Sequence, residues 1–84
     1  MSEIYTKKKL IKDVKEIINA IWRLDPPTEN PTMWNILEIL GNHLNELKKA
    51  KTDEQALDLA KKFKEEHKRM LEDLIRHLSL RTII

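Results

Sequence analysis

The fold turns on Leu10-Ile11-Lys12-Asp13-Val14-Lys15-Glu16-Ile17-Ile18-Asn19-Ala20-Ile21-Trp22-Arg23-Leu24, followed at once by Asp25-Pro26-Pro27. Leu10, Val14, Ile17, Ile21 and Leu24 recur at spacings of 4, 3, 4 and 3, and Ile11, Ile18 and Trp22 widen the stripe. That period lines one face of an α-helix. Proline disfavours helical geometry in the residue before it, so the helix ends ahead of Asp25-Pro26-Pro27 and the polar stretch to Pro31 is a loop. The expected helix runs over roughly residues 4–24.

Outward from this segment the same period returns twice. Asn30-Pro31-Thr32 offers a side-chain cap and a proline pre-set for a first helical turn. Met33, Leu37, Leu40, Leu44 and Leu47 then repeat at 4, 3, 4 and 3, with Asn35, Glu38, Asn42, Asn45 and Lys49 on the opposite side. Thr52-Asp53-Glu54-Gln55 reads as a capping box that opens a third helix, whose apolar face carries Ala56, Ala60, Phe63, His67, Met70, Leu74 and Leu78. Lys48, Lys49 and Lys51 close the second helix while Asp53, Glu54 and Asp58 open the third, so each sign sits where the helix dipole favours it. The expectation is an all-α, antiparallel, up-down-up three-helix bundle over residues 1–84, with helices at about 4–24, 32–51 and 53–79. Its core should hold Val14, Ile17, Ile21, Leu37, Leu40, Leu44, Phe63, His67 and Leu74.

Composition narrows the functional classes. A chain of 84 residues has one core, and 40% hydrophobic with 36% charged residues suits a soluble globular domain, neither a disordered tail nor a membrane span. Absence of cysteine removes disulfides, thiolate metal sites and thiol nucleophiles together. Gly41, the one glycine, cannot build a phosphate-cradling loop. The N-terminal residues lack the apolar block of a secretory signal.

The residues able to do chemistry are few: His43, His67, His77 and scattered acids, among which no nucleophile–base pair or paired carboxylates stand out. Asp73 and His77, four residues apart on one helical face, are the nearest thing to a metal pair, and surface polarity accounts for them equally well. No catalytic, cofactor-binding or metal-ligating residue is therefore assigned, no cofactor is expected, and the chain reads as a non-enzyme. His67 interrupts an apolar stripe, so it is expected as a partly buried, neutral imidazole and a pH-sensitive core residue. Lys7–Lys9 and Lys48–Lys51 meet at one end of the bundle, but a net charge of +2 and 12 lysines among the 16 basic residues argue against a nucleic-acid partner.

A protein partner fits better, with a homo-oligomer as one form of it. Helix two, at 20 residues, spans about 30 Å and helix three, at 27, about 40 Å, so the third helix should overshoot beside the Asp25–Pro31 loop. The overshoot would carry Leu78, Leu80, Ile83 and Ile84 toward Trp22 and Trp34, and these six residues form the expected partner-binding patch.

Two resemblances bear on the partner. Ile36-Leu37-Glu38-Ile39-Leu40, continued by Leu44, Leu47, Lys48 and Lys49, resembles the second helix of the immunity proteins of pediocin-like bacteriocins, and Leu71-Glu72-Asp73-Leu74 with Leu78, Ser79 and Arg81 is similar to their C-terminal segment. The resemblance implies a small cytoplasmic antiparallel bundle, usually of four helices, that protects its producer by protein contact involving the bacteriocin receptor, with specificity toward the C-terminus. Met33 followed by Leu37-Glu38-Ile39-Leu40-Gly41-Asn42-His43-Leu44 resembles the death-motif helix that enters the groove of Bcl-type apoptosis regulators, with Asn42 in place of the aspartate. That use conflicts with the core, because both need the same apolar stripe. A natural or de novo designed helical binding scaffold is the remaining alternative, suited to the Lys/Glu-rich faces and the cap chemistry.

Overall fold

The structure, a computed structural model, describes residues 6–78. They form four helices: α1 (Lys7–Leu24), α2 (Met33–Lys49), α3 (Asp53–Glu66) and α4 (Lys68–Leu78). The all-α expectation holds, whereas the third expected helix is two. At His67 the backbone leaves helical geometry (φ −119°, ψ 28°). Its N–H still donates to the Phe63 carbonyl, and its own carbonyl accepts from Leu71 N–H, both at 2.9 Å. The joint thus bends the third leg without ending it. The reason lies in Lys64-Glu65-Glu66-His67-Lys68-Arg69, where nothing apolar anchors the stripe between Phe63 and Met70. Bending there lets Ala56, Ala60 and Phe63 of α3 and Leu71, Leu74 and Leu78 of α4 aim at one core. A straight helix of 27 residues would be about 40 Å long, more than the molecule's longest extent of 37 Å.

Thr6 caps α1 by accepting Lys9 N–H at 3.1 Å, and Thr52 caps α3 by accepting Gln55 N–H at 3.1 Å. The Gln55 side chain completes a box shifted by one residue, since it accepts from Lys51 N–H rather than from Thr52. At the start of α2, Met33 and Trp34 N–H groups take the backbone carbonyls of Asn30 and Pro31. No side chain caps α2, and Asn30 is engaged elsewhere.

α1 is the spine. It packs on α2, α3 and α4, while among the described residues no Cα of α2 comes within 8 Å of one of α4. Val14, Ile17, Ile21, Leu40 and Leu47 are almost wholly shielded from water, each contributing about 1.5–3 kcal/mol by leaving it. Val14, Ile17, Ile21, Leu40, Phe63 and Leu74 are core residues as expected. Leu37 and Leu44 are only half-buried flanks of that core. The inward line of α2 is Met33, Leu40, His43 and Leu47, with Ile36 half-buried beside it. Two lines with helical spacing pass through Met33, Leu40 and Leu47, and the one taken includes a histidine. His67 is correspondingly not a core residue: it sits half-buried at the joint, and the buried imidazole is that of His43.

Candidate functional site

The two ends of the bundle differ in what holds them. Where α1 begins, Lys7 Nζ donates to the carbonyls of Lys48 and Ala50, each at 2.8 Å, and Lys7 N–H donates to Asp53 Oδ1 at 2.8 Å. One residue thus satisfies carbonyls at the end of α2 and engages the first residue of α3, in keeping with a cation at a helix C-terminus. Part of the expected basic patch is therefore occupied with capping.

At the other end Trp22 and Trp34 stand edge to face, with ring centroids 5.7 Å apart and planes at 80°. Both are about half exposed, at 47% and 53%, and Leu24 beside them is 53% exposed. Beside the pair, the α1–α2 loop is fastened to α4. Asp25 Oδ2 accepts from Asn30 Nδ2 at 2.9 Å and meets His77 Nε2 at 2.8 Å, while Thr32 Oγ1 donates to Asn30 Oδ1 at 2.6 Å. The Asn30 hydrogen bond, then the bond and charge of His77, lower the Asp25 pKa from its ordinary carboxylate value. His77 is thus engaged with Asp25, 52 residues away, and not with Asp73. Among the described residues no three metal-ligating side chains gather.

Of the expected patch, Trp22 and Trp34 are brought together on the surface. Leu78 is not part of it. Leu78 faces inward as the last core residue of α4, because the bend at His67 turns the α4 stripe onto α1. Leu80, Ile83 and Ile84 lie outside the described residues, as do residues 4, 5 and 79 of the expected helices and Arg81 of the C-terminal resemblance.

Sequence reasoning did not single out the seam between α2 and α3. His43 is 5% exposed and stacks flat on Phe63, with centroids 3.9 Å apart and planes 5° from parallel. His67 lies on Phe63 as well, at 4.7 Å and tilted by 47°. Nε2 of His43 has no hydrogen-bond partner among the described residues. Burial lowers the His43 pKa, the His67 imidazole pushes the same way, and the Glu46 carboxylate opposes them. These rings border a cleft of about 280 Å³. Its α2 wall adds Ile39, Asn42 and Glu46, and its α3 wall adds Leu59, Lys62 and Glu66. A second hollow of about 310 Å³ opens where α2 and α4 stand apart, lined by Met33, Ile36, Met70 and Leu74. The clue to the seam was the alternative line Met33, Ile36, Leu40, His43 and Leu47 on α2, facing Phe63.

Met33 and Leu40, two anchors of the death-motif-like segment, are buried in the core. No described helix is long and apolar enough to cross a membrane. Comparison of the chain with protein-family models, curated proteins and solved structures returns no match.

Proposed function

We propose that this chain is a non-enzymatic helical-bundle protein that acts by contact with another protein through the Trp22–Trp34 end. The observation that carries this reading is the indole pair, about half exposed beside Leu24 on a chain that buries most of its other large side chains. Large aromatic rings held rigidly at a surface are the usual energetic anchors of protein interfaces. Catalysis gains no support from the His43 seam, where the imidazole is stacked and has neither an acid nor a nucleophile within hydrogen-bonding distance among the described residues.

Within this class the reading we favour is immunity of the pediocin-like bacteriocin type, acting in the cytoplasm on the bacteriocin receptor. The four helices support it, since the resemblance implies that number and the break at His67 supplies the fourth. A death-motif role would require Met33 and Leu40 to leave the core, which disfavours it. A helical binding scaffold remains the second reading, favoured by the threonine caps that open α1 and α3.

The test is expression in cells sensitive to a pediocin-like bacteriocin, alongside Trp22→Ser and Trp34→Ser variants. The parent should raise the lethal dose, and the double variant should lose protection while keeping its helical circular dichroism. Unchanged sensitivity with the parent would eliminate the immunity reading. Full protection by the double variant would remove the indole pair from the contact.

A further inference from the structure

We propose that the cleft between α2 and α3 is a binding site for a small organic cation with an apolar body, held by Glu46 and Glu66 over the His43–Phe63 stack. The argument starts from His43. A buried polar atom without a partner is uncommon in a folded protein and leaves about 1–3 kcal/mol of hydrogen bonding unmade. Here that atom belongs to a ring lining a cleft, not to one sealed among leucines. If the neutral ring keeps its proton on Nδ1, Nε2 is an acceptor, and a ligand N–H that displaces the edge of Phe63 is the group it lacks.

Charge selects the ligand's sign. Glu46 and Glu66 line the cleft against one ammonium, that of Lys62, so the ionised groups sum to −1 while both imidazoles are neutral. Asn42 adds an amide able to orient an amino group, and Ile39 and Leu59 supply the apolar wall. At about 280 Å³ the cleft lies just below the range that accepts drug-sized molecules, which suits a compact ligand such as an aryl amine or amidinium. An arginine side chain presented by a peptide carries the same chemistry. No metal is implied, because among the described residues no three ligands converge. The site stands apart from the indole pair, so the two can fail separately.

Benzamidine is the probe, with benzoate and benzyl alcohol as its anionic and neutral counterparts. In a two-dimensional ¹H–¹⁵N titration of the full chain, benzamidine should shift the amides of Asn42, Glu46, Lys62 and Glu66 and the ring protons of His43 and His67, and the shifts should saturate. Benzoate should not reproduce them. Glu46→Gln and Glu66→Gln should each weaken benzamidine about threefold, the worth of a partly exposed ion pair, and added salt should weaken it further. Their melting temperatures report whether the fold is kept. A Gly-Arg-Gly peptide that binds more tightly than benzamidine assigns the cleft to a partner's arginine, and the reverse order to a free amine. Equal shifts from all three aromatic probes, shifts centred on Trp22 and Trp34, or unchanged affinity in both glutamine variants would overturn the proposal.

Discussion

The Lys7 end and the Trp22 end of this bundle close in opposite ways. At the first, the ammonium and amide of one residue hold carbonyls of α2 and a carboxylate of α3, over the buried Leu47, Ala50 and Ala56. At the second, α2 and α4 stand apart, two indoles face water, and a single exposed clasp from His77 to Asp25 ties α4 to the loop. The comparison teaches that a small helical domain can concentrate its packing at one end and leave the other for contact. Local opening should therefore start at the Trp22 end, where fewer apolar neighbours and more solvent-exposed polar bonds hold the chain.

The largest expected effect tests that asymmetry in the core. Leu47→Ala should cost about 3–4 kcal/mol by urea unfolding, because its surroundings cannot collapse into the space, while Leu78→Ala beside the hollow should cost about 2 kcal/mol. Equal losses would erase the difference between the ends. Next, Lys7→Met keeps much of the aliphatic stem but strands the carbonyls of Lys48 and Ala50, and should cost about 1–2 kcal/mol. A neutral result would mean that water caps α2 equally well.

Between the ends, His43→Phe should raise stability by about 1 kcal/mol at neutral pH, since it removes the unpartnered nitrogen and keeps a ring against Phe63. The pH profile sharpens this. His43 has a lowered pKa in the folded state, so its contribution is fully present above the unfolded imidazole pKa. It is lost as pH falls below that value toward the folded one. Unfolding midpoints measured across this window should slope for the parent and flatten for His43→Phe. The smallest effect belongs to the clasp. Asp25 is also lowered, so its contribution is present above the unfolded carboxylate pKa and is lost as pH falls through the folded one. Asp25→Asn should remove that acid-side decline, and an unchanged acid limb would show that the clasp does not stabilise the fold.

The first helix was legible almost in full, because its stripe admits one inward line and the two prolines end it sharply. α2 was legible as a helix but not in rotation: Leu37 and Leu44 looked like core by hydrophobicity, and the packing chose His43 because Phe63 offered its ring a partner. The break at His67 escaped notice for a related reason. Periodicity counts spacings, and a histidine at the right spacing keeps a stripe arithmetically intact while providing no apolar anchor. The indole pair was legible as an apolar cluster, but the tertiary clasp from Asp25 to His77 joins residues that no local rule connects.

The Lys7 contacts also bear on the order of events in folding. They join residues 41 to 46 positions apart, so making them means closing a long loop, whereas α1 and α2 meet across a short turn. A hairpin of α1 and α2 is then the natural early nucleus, and the Lys7 contacts are a late fastening. In stopped-flow kinetics Lys7→Met should leave the refolding rate nearly unchanged and express its whole cost as faster unfolding. The lysine would act as a kinetic latch, setting how long the bundle stays shut more than how quickly it closes.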